Sequence, residues 1–182
     1  RYFYDLRTMD FTHIKFGLAL AMLAILFGGL MGLGFGCCEE TFKDTFREQA
    51  ASVLEEKYNG DQGKADSVSK KSWVYMKRAH LHSQTMGVIS IVLSLVAAGL
   101  VFPPFLQTGI SLLSGLGSIG YGLFWLLAGF LAPGMGGTGI AKETVGLVAQ
   151  VSAGSFFIAG VTLFCVLGYK VFTQKRNSAR NE

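Results

Sequence analysis

Two histidines, a glutamine and a methionine open the apolar stretch "KRAHLHSQTMGVISIVLSL", residues 77–95. Imidazole and thioether are ligands for haem iron and for copper. His82 and Met86 are four residues apart, so on a helix they share a face. His80 is a second candidate ligand. Residues 80 and 82 lie about 200° apart around an ideal helix, so one metal takes both only if the helix starts after His80. Cys37 and Cys38 end an earlier apolar stretch that also carries Met31, and Met135 follows a later one. Thiolates there would complete a soft metal site with His82 and Met86, with Ser83 and Gln84 orienting the ligands. The competing reading assigns no ligand role. Methionine packs, the cysteines are small buried residues, and the histidines mark the place where a helix leaves water. The sequence leaves both open.

The elements that must position these residues are written in the charge distribution. No charged side chain occurs from Phe16 to Cys38, from Ala79 to Ala141, or from Thr144 to Tyr169. A helix of roughly 20 residues crosses the hydrocarbon core. The first and third stretches each cross once. The middle one crosses twice, broken at Phe102-Pro103-Pro104-Phe105, where a double proline stops a helix. Four spans are predicted, about 14–36, 82–102, 108–131 and 144–170. Barrel strands would show in-out alternation, which is absent here. The chain therefore reads as an all-α, integral membrane four-helix bundle, one membrane domain over residues 1–182. The first span is too long for the apolar core of a secretory signal and reads as retained.

Four spans put both ends of the chain on one side of the bilayer, here called side A. Side B carries the extramembrane segment 37–80 and the loop 132–143. Within the former, "EETFKDTFREQAASVLEEKY" places Phe42, Phe46, Val53, Leu54 and Tyr58 near one face of an amphipathic helix. It is expected to cap the bundle, with the membrane surface or a partner as alternatives. "NGDQGKADSVSKKS" follows as a turn-rich linker. Tyr2, Phe3, Tyr4, Tyr169 and Phe172 fall at side A, and Trp73, Tyr75 and Trp125 at side B, as interfacial aromatics do. The basic tail Lys170, Lys175, Arg176 and Arg180 favours side A as cytoplasmic, in a bacterial inner or organellar membrane. That tail also attracts anionic lipid. The net charge of +4 calls for no nucleic-acid partner.

Small residues predict how the spans meet. Gly28, Gly32 and Gly36 recur every fourth residue on the first span. Ser111, Ser114, Gly115, Ser118 and Gly122 form similar patches on the third. They read as packing surfaces, because lipid supplies no hydrophobic drive and helices associate by close backbone approach. "SGLGSIGYG" imitates a G-x-G-x-x-G loop, but it lies inside an apolar span with no strand before it. "APGMGGTG" lacks the Lys-Ser/Thr ending of a nucleotide site. Cys165 is mid-span, and no disulfide framework follows from three cysteines.

"AHLHSQTMG" resembles the H-x-H-x-x-x-x-G helix starts of haem-copper-related membrane proteins over that stretch alone. The chain lacks the further helices and histidines of such an oxidase core, so no ligand and no family are carried over. His13 is at side A, about 30 Å from His80 and His82, which excludes a haem shared between them. No acid or base sits inside a span away from its ends, and no nucleophile has a base and an orienting partner. The chain is expected to be no enzyme. It reads first as a non-catalytic accessory subunit of a larger membrane complex, with other membrane subunits and lipid as partners. The second reading is a haem- or copper-binding electron-transfer protein with ligands at 80–86. The third is a small carrier or channel, against which stand its charge-free spans.

Overall fold

The structure is a computed structural model that describes residues 10–100 and 102–178. Six helices follow in order: α1 Lys15–Ser52, α2 Leu54–Tyr58, α3 Gln62–Gly99, α4 Pro104–Leu131, α5 Thr138–Thr144 and α6 Gly146–Ser178. There is no strand among the described residues. Four of the helices, α1, α3, α4 and α6, are long and apolar enough to cross a membrane. Tyr2, Phe3, Tyr4 and Arg180 lie outside the described residues, as do the side chains of Phe172, Lys175 and Arg176.

α4 is the central rod. Its most apolar window is 44% buried, against 28% for α3, 22% for α1 and 17% for α6. α3 packs on α4 and on α1, while α6 packs chiefly on α4. One buried seam of α3 runs through Ala65, Ser69, Ser72, Met76, Ala79, Ser83, Gly87, Ser90, Ser94 and Ala97, with Trp73 and Tyr75 buried beside it. Steps of three and four residues keep that seam straight along a helix. Nearly every member is small, so the partner backbones come close. A Cβ on Gly115 would lie 2.7 Å from the Gly17 carbonyl oxygen. A Cβ on Gly122 would fall on the Ser83 hydroxyl, and a Cβ on Gly28 would meet Gln84.

Hydroxyls bind the helices across these contacts. Ser94 Oγ donates to Ser111 Oγ at 2.9 Å, and Ser111 Oγ donates to the Ile14 carbonyl at 3.0 Å. Ser90 Oγ donates to the Ser114 carbonyl at 2.7 Å, and Thr108 Oγ1 to that of His13 at 3.0 Å. Ser118 Oγ turns back to its own helix at Gly115. In lipid each such interhelical bond contributes on the order of 0.6 kcal/mol. At side A the Lys170 ammonium of α6 donates to the Leu100 carbonyl, covering the end of α3.

The extramembrane segment differs from its expected form. α1 continues past the end of its span with a kink at Cys38, where φ is −136° and ψ 28°. The expected linker is mostly helical, because α3 begins at Gln62. The reversal is confined to Asn59, Gly60 and Asp61. Asn59 and Gly60 adopt left-handed φ of 53° and 73°. Asp61 caps α3 by accepting from the Lys64 amide at 3.0 Å. With the turn chemistry concentrated there, the alanines, serines and lysines that follow propagate the helix. The result is a helical head that caps side B. Phe46, fully buried, packs on Phe130 of α4, and the Tyr58 hydroxyl donates to the Pro133 carbonyl at 2.7 Å. α4 starts at Pro104, earlier than residue 108, because proline at a first helical position needs no amide partner.

Two outcomes are expected. Gly122→Ala destabilises the bundle by about 1–3 kcal/mol in a detergent unfolding titration. Adding Ser83→Ala recovers part of that, because the clash is with a hydroxyl that has no hydrogen-bond partner, while Ser83 Cβ is 3.1 Å away. The second concerns acid. The Lys64 amide and side chain hold the Asp61 carboxyl below its ordinary range. A depressed carboxyl stabilises above its unfolded-state pKa, and the contribution is lost as pH falls through the folded value. Amide exchange at the first turn of α3 therefore speeds up, relative to intrinsic exchange, on acidification of the wild type. Asp61→Asn, which still caps, removes that part of the acid response.

Candidate functional site

The side B membrane boundary collects the polar and aromatic residues singled out above. α3 runs unbroken through residues 80 and 82, so the two histidines face different neighbours. His80 faces α1. Its Nδ1 lies 2.6 Å from the Gly28 carbonyl oxygen. A carbonyl only accepts, so Nδ1 carries the hydrogen and Nε2 of the neutral ring is left as an acceptor. The ring edge meets Phe35 at 6.0 Å, and a Cβ on Gly32 would lie 2.6 Å from its Cε1. Gly28 and Gly32 thus make room for the His80 ring and for Gln84.

His82 faces α4. Its ring stacks on Trp125 at 6.1 Å and 14° and meets Tyr121 edge-on at 5.1 Å. Met86 is partly buried one turn further along. Cys37 and Cys38 are exposed free thiols at the kink of α1. Cys37 Sγ lies 3.4 Å from the Gly34 carbonyl. Contact with the Cys37 thiol pushes the Cys38 thiol above its ordinary range. Among the described residues no group of three or more His, Cys, Asp or Glu side chains is placed to hold a metal ion. His80 and His82 are on separate contacts, and the thiols stand on the exposed surface of α1.

What gathers at this level is a groove of about 430 Å³ between α1 and α3. Gly32, Phe35, Gly36, Glu39, Trp73, Lys77, His80 and Leu81 line it. Gly36 has nothing within 4 Å of where a Cβ would stand, so it opens the groove where Gly28 and Gly32 close a helix contact. Glu39 lies 2.8 Å from Lys43 Nζ. Lys43, with Lys77 and Trp73, holds that carboxyl below the usual carboxylate range. The groove offers one imidazole nitrogen, one carboxylate and one ammonium beside an apolar wall. That is a binding arrangement for an amphipathic molecule. Sequence reasoning missed Glu39 and Lys77 as companions of His80. The spacings Glu39–Lys43 and Trp73–Lys77, four residues each, were the available signal.

A second cluster, also missed, joins three elements. The Arg78 guanidinium of α3 lies 4.8 Å from the ring centre of Trp125 on α4 and 5.4 Å from that of Tyr75. The Lys142 ammonium of α5 is 6.0 Å from the Tyr75 ring.

Against known proteins, the chain matches no family model, no curated protein and no solved structure.

His80→Phe keeps a ring against Phe35 and deletes the bond to Gly28. It is expected to cost about 0.5–1.5 kcal/mol, the net value of one hydrogen bond, in the same unfolding titration. A nitrogen-15 spectrum of ring-labelled protein should show a hydrogen on His80 Nδ1.

Proposed function

We propose that this chain is a non-catalytic subunit of a larger membrane complex, packed against other subunits through α6. One observation carries the reading. α6 is held by α4 and leaves a broad face uncovered, on which Gly146, Gln150 and Gly154 form one ridge. Nothing lies within 4 Å of where a Cβ on Gly146 or Gly154 would stand. Phe157, Phe164, Leu147 and Val151 surround that ridge and are exposed. Glycines give a single helix in lipid no advantage. They let a second helix approach, and an amide beside them offers it a hydrogen bond. The basic tail from Lys170 onward supports placing the termini on the cytoplasmic side of a bacterial inner or organellar membrane.

A second reading is favoured by His80 alone. A backbone carbonyl on one ring nitrogen is how metal-binding histidines are commonly oriented. On this reading a haem or copper would take its other ligands from a companion chain.

Gentle solubilisation, crosslinking and mass spectrometry test the first reading. Companion subunits are expected in fixed ratio. Gly154→Leu, a change into open space, should lower their recovery roughly tenfold, the effect of about 1.4 kcal/mol, and leave the chain's own unfolding midpoint in place. A monomer with no crosslinked companion sinks the proposal. A Soret band or stoichiometric copper in the same preparation would establish the second reading.

A further inference from the structure

The side B rim has two aromatic stations with cations on them. At the first, the Lys43 and Lys77 ammoniums lie 5.9 Å and 6.0 Å from the Trp73 ring. Glu39 supplies the counter-charge, 2.8 Å from Lys43 and within the field of Lys77. At the second, Arg78 lies over Trp125 and Tyr75, and Lys142 over Tyr75. Neither Arg78 nor Lys142 has a carboxylate within ion-pair distance among the described residues. Two cations brought to one ring repel each other, and a ring quadrupole is a weak substitute for an anion.

Their depth says which anion is at hand. Arg78 is the last charge before the uncharged run 79–141, and Lys142 is the first after it. The run leaves and re-enters side B at these two residues, so both stand where hydrocarbon gives way to headgroups. They come from α3 and α5, while Trp125 comes from α4. Tyr75 is Arg78's own neighbour on α3, three residues before it, and the fold brings Trp125 and Lys142 to that pair. Both side chains are exposed. A guanidinium resting on a ring face keeps its N–H edge free for a planar pair of phosphate oxygens.

We propose that the Arg78–Lys142 station binds the phosphate of an anionic phospholipid of the phosphatidylglycerol class. A zwitterionic lipid fits less well. Its ammonium would meet two cations here, neither of which is ion-paired to a carboxylate as Lys43 is to Glu39.

The test is native mass spectrometry of the full chain in neutral detergent. Phosphatidylglycerol and phosphatidylcholine of identical chains are supplied in equal amounts. The wild type should retain the anionic lipid at least fivefold over the zwitterionic one, and 0.5 M salt should erode that ratio. Arg78→Gln and Lys142→Gln should each reduce it severalfold, and Arg78→Lys less so. Lys64→Gln, at the far tip of the head, should leave it unchanged. Should Arg78→Gln fail to fold, Lys142→Gln and the salt series on the wild type decide. Equal retention of the two lipids overturns the proposal, as does a preference that survives both glutamine variants. Equal protection against thermal unfolding by inorganic phosphate would put a free anion there and also overturn it.

Discussion

The bundle depends on backbones that touch. In water, apolar side chains drive helices together whatever their size. In lipid that drive is absent, and what remains is van der Waals contact and hydrogen bonds between helices. This chain supplies both from small residues. Along the α3–α4 seam glycine meets serine, and along α1 glycine meets the side chains of His80 and Gln84. Larger residues on these faces would separate the rods and strand the hydroxyls of Ser90 and Ser111 without partners. Close approach and polar satisfaction are thus one constraint.

That constraint sorts the helices. α4 carries small residues on several faces and sits in the middle, meeting α3, α1 and α6. Gly117 and Gly120 turn toward Ser152 of α6, while Gly115 and Gly122 turn toward α1 and α3. α6 has one such contact face and a second that the bundle leaves open. The polar groups at side B follow from the same geometry. His80 and His82 differ by two positions on one rod, and the packing sends one to a backbone carbonyl and the other into an aromatic stack.

Much of the architecture was legible in the sequence. Three stretches without charge and one double proline are enough to mark four apolar rods, since an ionised group is expelled from hydrocarbon regardless of context. The angular separation of residues 80 and 82 was equally readable, because it depends on helix geometry alone. The head was harder. Gly60, Gly63 and a run of polar residues suggested a linker, yet only Asn59 to Asp61 turn, and the seam through Ala65, Ser69 and Ser72 carries the helix onward. Propensity saw exposed polar residues, and packing saw small ones. The groove was not readable either. Gly28, Gly32 and Gly36 share one spacing, but the third borders open space. Nor could spacing bring Arg78 and Lys142 to one ring, since they are separated by two whole spans.

α3 passes from lipid to water without a break. From Gln62 to Arg78 it rises roughly 25 Å at 1.5 Å per residue. Its footing packs on α4, and the turn that leads into it is tied to the loop after α4 by the Tyr58–Pro133 bond. Its length therefore sets how far the Asn59–Asp61 turn stands from the level of Arg78, and inserting or deleting a turn of α3 would change that distance by about 5 Å.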